Sequence, residues 1–142
     1  LNPNYLSAIC KRRARSSIKA VLLDQSVIAG IGNIYADESL FLAKIRPDTK
    51  AGRLSKASFT TMIDCVRKVL ERGIEFGGVS VKDYVNAEGL RGLMQEQLHV
   101  YKRKDQPCKL CDTPVIKITL AGRGTHYCPT CQPALKKSQL IR

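Results

Sequence analysis

Apolar positions recur at helical spacing through the first half of the chain and alternate with polar ones toward its end. Asn2 and Pro3 have the character of an N-cap and a first helical position, opening a short helix through about Lys11 with Tyr5, Leu6 and Ile9 on one face. Ser17 can cap a second helix, with Ile18, Val21 and Leu22 at helical spacing, that ends near Asp24 or Gln25. From Asn33 the residues Ala36, Leu40 and Ala43 repeat at the same period, with Phe41 widening the stripe, until Pro47 forbids continuation. The strongest pattern follows Ser55: Phe59, Met62, Ile63, Val66, Val69 and Leu70 form one apolar stripe, ended by Gly77 and Gly78. Residues 79–97 carry mixed signals and read as a loop with a short helical turn. Alternation in "QLHVY" (97–101) and "PVIKITL" (114–120), a turn at "AGRG" and a return through "THYC" predict a strand and then a β-hairpin.

The second and third helices are joined by a bend, residues 26–32, that contains "AGIGN". A Gly-x-Gly alone fits a dinucleotide fingerprint, a phosphate-binding nest or a plain tight turn. Its position at a helix N-terminus matters more: unpaired N–H groups and the positive end of the macrodipole lie there, and glycines let an anion approach without a Cβ in the way. Asn33 either caps that helix or offers an amide donor to a ligand.

The 142 residues carry 24 Lys and Arg against 12 Asp and Glu, a formal net charge of +12, which implies a polyanionic partner. The excess lies at the two ends of the chain, and the middle third is nearly neutral. No run of about 18 apolar residues occurs, so no membrane span is expected, and a soluble cytoplasmic protein is.

Cysteine spacing identifies a metal site. Cys108 and Cys111 enclose two residues, Cys128 and Cys131 enclose two more, and sixteen separate the pairs, the spacing of a zinc ribbon. Two disulfides or a redox dithiol are the alternatives; zinc is preferred because both pairs and their separation fit together for one ion. Four thiolates leave no open coordination position, so the metal is expected to hold structure rather than catalyse. His126 is near enough to compete as a ligand and is read as a strand residue; Cys10 and Cys65 are read as core residues.

Gly30-Ile31-Gly32-Asn33 opening a helix, the four-cysteine ribbon, and "GRGTHYCPTC" (122–131) together resemble the C-terminal half of the formamidopyrimidine-DNA glycosylase and endonuclease VIII family. "LLDQSVIAGIGNIYADESLF" is similar to that family's helix-two-turn-helix, and "AGRGTHYCPTCQ" to its zinc finger. The resemblance implies that Asn33 binds a backbone phosphate beside a damaged nucleotide and that Lys19 also serves a phosphate. It places Arg13 and Arg15 in a basic lead-in to the DNA, and has Arg123 contact phosphates at the lesion and assist the second elimination step. It further implies a nucleophilic N-terminal proline in a catalytic domain that this sequence does not contain; Pro3 cannot stand in, because its nitrogen is tied up in a peptide bond. "GGVSVKDYVNAEGLRG" resembles the family's mobile loop over the flipped base, although Leu93 departs from the usual aromatic.

The expected protein is thus mainly α with a small β part. A helix-two-turn-helix domain over 1–96 precedes a zinc finger with a short tail over 97–142. It is expected to be a monomer that binds damaged or abasic double-stranded DNA with one structural Zn²⁺, as the DNA-binding half of a bifunctional glycosylase and AP lyase acting on oxidised purines. A non-catalytic DNA-binding module and an RNA-binding zinc-ribbon protein are the rival readings.

Overall fold

The computed structural model describes residues 2–24, 32–75 and 98–135, with side chains of 72–75 left aside. Helix α1 (Pro3–Arg12) begins as the sequence dictates: Asn2 is the N-cap and its Oδ1 accepts from the Tyr5 amide at 2.9 Å. Its inward face is Leu6, Ile9 and Cys10, whereas Tyr5, expected on that face, is 44% exposed. Ser17 caps α2 (Ile18–Leu23), accepting from the Ala20 amide at 3.2 Å. The bend over 26–31 and the glycine pair 77–78 lie outside the described residues.

Helix α3 (Asn33–Leu42) stops well before Pro47. Lys44 adopts a left-handed φ of 60°, and the Ile45 and Lys44 amides donate back to the Leu40 and Phe41 carbonyls, each at 3.0 Å. That is a Schellman ending with lysine where glycine is usual. A short 3₁₀ turn (Ala51–Arg53) then passes close to the α1–α2 connection; a Cβ on Gly52 would lie 2.6 Å from the Ala14 Cβ, so only glycine fits. Ser55 caps α4 (Lys56–Glu75), accepting from the Ser58 amide at 3.2 Å. Phe59, Met62, Ile63, Val66 and Val69 of α4 pack with α1, α2 and α3 into the larger core, and Leu70 is partly buried at its edge.

The strand expected at 97–101 does not form over its described part, where residues 98–101 make bends and a turn. Its amides have found a different acceptor. Those of His99, Val100 and Tyr101 donate to the Glu38 carboxylate at 2.8, 2.8 and 3.0 Å, so no ladder is available to them. The hairpin does form: β1 (Ile116–Leu120) pairs antiparallel with β2 (Arg123–Tyr127), with Leu120 opposite Arg123. Ala121 (φ 52°) and Gly122 (φ 73°) are both left-handed, as a two-residue hairpin turn requires.

These elements give a mainly helical protein with a two-stranded ribbon. Helix α3 is the axle between them. Residues 35–41 of α3 are buried without interruption, some facing the helical core and others, through Phe41, the smaller core of Val100, Cys108, Val115 and Cys128.

Candidate nucleic-acid interface and metal centre

At the metal centre, backbone turns bring the four thiols of Cys108, Cys111, Cys128 and Cys131 within 4.8 Å of one another. Sulfur pairs stand at 3.8 Å (Cys108 and Cys131), 3.4 Å (Cys111 and Cys128) and 3.6 Å (Cys111 and Cys131). A tetrahedron with sulfur about 2.3 Å from Zn²⁺ has edges of roughly 3.8 Å, so the cluster has the size of a zinc site. Amides of Leu110 and Cys131 point at the Cys108 and Cys128 sulfurs at 3.4 Å, as knuckle turns do to stabilise thiolate charge. Hydrogen bonding to Thr113 lowers the Cys111 thiol to about 6, whereas burial first and neighbouring thiols second push Cys131 up to about 12. A bound Zn²⁺ supplies the positive charge that lets all four ionise. His126 stays outside the cluster and in β2, as expected.

The second site lies where the ribbon meets the N-terminus of α3. Gly32 is the N-cap, so Asn33 is the first helical residue and its side chain is free to reach elsewhere. Asn33 Nδ2 donates to the Gly124 carbonyl at 3.0 Å. Lys19 Nζ donates to the same carbonyl at 3.0 Å and to Thr125 Oγ1 at 2.8 Å. Arg123, the residue before that carbonyl, is exposed and begins β2, so the turn itself is Ala121 and Gly122 rather than the arginine.

Three residues expected to share a ligand, Lys19, Asn33 and Arg123, are thus assembled from elements 14 to 104 positions apart in sequence. Their roles differ. The phosphate contact expected of Lys19 is not what the structure gives it: its side chain is fully buried and its ammonium lies 2.7 Å from Asp37, itself fully buried. Burial lowers the Lys19 pKa, the Asp37 carboxylate works against that, and the nearby Arg123 guanidinium adds to the lowering. The charged form survives because Asp37 is there. Arg13 is engaged with Asp24 at 2.8 Å, and Arg15 is exposed on the α1–α2 connection.

Asp37 and Glu38, adjacent on α3, carry no role in the sequence reading. Asp37 Oδ2 accepts the His126 amide of β2 at 3.0 Å, and Glu38 accepts the three amides that lead into the first zinc knuckle. Burial would raise the Glu38 pKa, but the hydrogen bonds from His99, Val100 and Tyr101 outweigh it and hold the carboxyl below its ordinary 4.5. Gln132 is a third tie: its amide donates to the Ile45 carbonyl and its oxygen accepts from the Cys128 amide, both at 2.9 Å. Part of the basic excess is also structural. Arg103 donates to the His99 and Pro107 carbonyls, and Arg46 sits 4.8 Å from the Tyr127 ring centroid. The sequence signal for the acidic pair existed in one form: Asp37 is one turn after Asn33, on the side of α3 that a ribbon docked there must meet.

The arrangement defines a helix-two-turn-helix unit with a four-cysteine zinc ribbon docked on its third helix. Residues 1–85 match the formamidopyrimidine-DNA glycosylase H2TH domain and residues 105–134 the zinc finger found in FPG and IleRS. The chain belongs to the formamidopyrimidine-DNA glycosylase family. It is 51% identical over 117 residues to the formamidopyrimidine-DNA glycosylase of Shouchella clausii, covering 82% of this chain and 42% of that protein. Against the Prochlorococcus marinus enzyme it is 47% identical over 131 residues, 92% of this chain and 45% of that one. A solved complex of Lactococcus lactis Fpg with DNA containing an abasic site superposes with a TM-score of 0.80 at 38% identity, over 93% of this chain and 48% of that one. The chain therefore spans less than half the length of these relatives.

Proposed function

We propose that this chain is the duplex-gripping half of a base-excision DNA glycosylase and AP lyase acting on oxidised purines, with Asn33 and Arg123 on the phosphates around the lesion. The observation that carries the reading is the Gly124 carbonyl, held by Asn33 from the helical side and followed along β2 from Arg123 on the ribbon side. A helix N-terminal amide bonded to the carbonyl that follows an exposed arginine can offer backbone N–H groups, an amide and a forked cation to one stretch of phosphates. The relatives' names and the abasic DNA in the solved Lactococcus lactis complex support it. On the family pattern Arg123 also assists the second elimination, while the nucleophile and its proton-handling partners come from a proline-initiated catalytic domain outside this sequence. Arg15 adds charge at the margin of this surface, and Arg13 less, being already paired.

Affinity for abasic duplex, intact duplex and A-form RNA, measured across a salt series, tests the reading. Arg123→Ala is expected to lower the slope of log affinity against log salt by about one, and Asn33→Ala to weaken binding with the slope nearly unchanged. Each loss is on the order of 1–3 kcal/mol and larger on abasic DNA, where the duplex bends most easily. Equal small losses on all three ligands would reject it, and preference for RNA would favour a ribosome- or RNA-associated ribbon protein. Incubated alone with oxidised duplex and borohydride, the 142-residue chain is expected to form no covalent adduct, since Pro3 has no free amine. An adduct abolished by one lysine substitution would instead assign catalysis to this chain.

A further inference from the structure

The buried ion pair of Lys19 and Asp37 is an expensive feature. Two charges with no exposed side-chain surface contribute little net stability, and a well-packed apolar pair would hold a fold at least as well. What the pair does that an apolar contact cannot is grip a carbonyl. Lys19 Nζ holds the Gly124 carbonyl at 3.0 Å and the Thr125 hydroxyl at 2.8 Å; that hydroxyl in turn donates to the Arg123 carbonyl at 3.1 Å. Asp37 closes the loop by accepting the His126 amide with its second oxygen. Four consecutive residues of β2 are thereby fixed from one carboxylate on α3, starting at the residue whose guanidinium is exposed. Asn33, one turn earlier on α3, reaches the same Gly124 carbonyl.

The geometry points to Asp37 as a positioning residue: through Lys19, Thr125 and the His126 amide it sets the backbone that carries Arg123, and so the direction in which that guanidinium leaves the ribbon relative to the Asn33 amide. A further consequence concerns Asn33. A carbonyl oxygen has two acceptor sites, and Lys19 occupies one. When the Asn33 amide turns to a ligand, the Gly124 carbonyl keeps a charged donor, so the tip holds its place while the amide is released. The consequence for DNA rests on the reading above; the grip on the tip does not.

The decisive variant is Lys19→Met with Asp37→Asn. Methionine keeps the bulk of the lysine stem, asparagine still accepts the His126 amide, and no lone buried charge remains, so folding and zinc content are expected to match the wild type. Without DNA, amide hydrogen exchange at Gly124 and Thr125 is expected to quicken at least tenfold while exchange in α4 is unchanged, which a merely structural role would not produce. With abasic duplex, affinity is expected to fall about tenfold, and adding Arg123→Ala is expected to cost nothing further, because both changes remove the same contact. Losses that add, with the salt slope falling by one more unit for the lysine change, would mean that Lys19 touches phosphate itself and would overturn the positioning role. Unchanged tip exchange would overturn it as well. Quickened tip exchange with no effect of Arg123→Ala on any duplex would keep the positioning role and reject the DNA reading instead. Should the double variant misfold, Thr125→Val, which removes only the hydroxyl relay, carries the same comparison with a smaller expected loss of about threefold.

Discussion

The helical unit and the ribbon are held together by different physics. Among the described residues, the helical core gathers 17 buried residues from α1 to α4 and the stretch just before the ribbon, whereas the ribbon's core has five, two of them cysteines of the metal site. Burial at about 25 cal/mol per Å² can stabilise the first but not the second. The ribbon depends on its metal and on polar ties, among them those to Asp37, Glu38 and the Gln132 bridge, each of which gives a backbone group the partner that a larger sheet would have supplied. One unit is defined by an apolar stripe; the other is defined by what it is attached to.

The sharpest way to break this contrast is to remove the metal. Structural zinc in small modules contributes about 10–16 kcal/mol of apparent binding energy, so Cys128→Ser or chelation is expected to unfold the ribbon and leave most of the helical signal. Circular dichroism with and without chelator distinguishes this from cooperative loss of both parts, which would show that α3 needs the ribbon as much as the ribbon needs α3. Glu38→Gln comes next. An amide can offer only one oxygen where the carboxylate offers two, so at least one amide among 99–101 loses its partner, at a cost on the order of 2–4 kcal/mol.

The same residue gives a pH dependence with a definite sign. Its folded pKa lies below 4.5, so its contribution is complete above that value and is lost as pH falls through the lower, folded one. Zinc release follows the same direction, so the telling quantity is the difference in denaturation midpoint between wild type and Glu38→Gln at equal zinc content. That difference is expected to shrink as the pH is lowered from 7 toward 3. A constant difference would mean that the carboxylate's charge is immaterial.

Smaller effects sharpen the picture. Gln132→Ala leaves the Ile45 carbonyl and the Cys128 amide without this partner and is expected to cost about 1–3 kcal/mol, seen as faster zinc loss to a chelator rather than as a lower helical midpoint. Ala121→Asn is expected to stabilise the hairpin by roughly 1 kcal/mol, since Ala121 holds a left-handed φ of 52° that asparagine tolerates better in an Asn-Gly turn. If that gain appears in zinc affinity and not in the helical midpoint, the ribbon's stability is its own.

The extent to which the chain could be read from its sequence follows the same division. Caps at Asn2, Ser17 and Ser55, the stripe of α4, the hairpin and the four zinc ligands were legible because each is a local pattern: a periodicity or a spacing whose physics is complete within a few residues. Asn33 and Arg123 were legible as neighbours only through family resemblance. Two readings met a distant partner. Residues 98–101 lost their strand to the Glu38 carboxylate, and Lys19 is held inside the protein by Asp37. In each, the backbone or side chain had two ways to satisfy a polar group, and sequence periodicity is silent about which partner arrives.

The sequence by itself thus determined the helices, the hairpin, the metal and the sign of the charge, because helix periodicity, turn chemistry and thiolate spacing act over a few residues or one hairpin. Only the tertiary structure decided which charges stay exposed and which are spent inside. Burying Lys19 requires a carboxylate that α3 alone can bring, and the ribbon, with too little apolar surface to dock by burial, is placed by the hydrogen-bond acceptors that α3 presents to it.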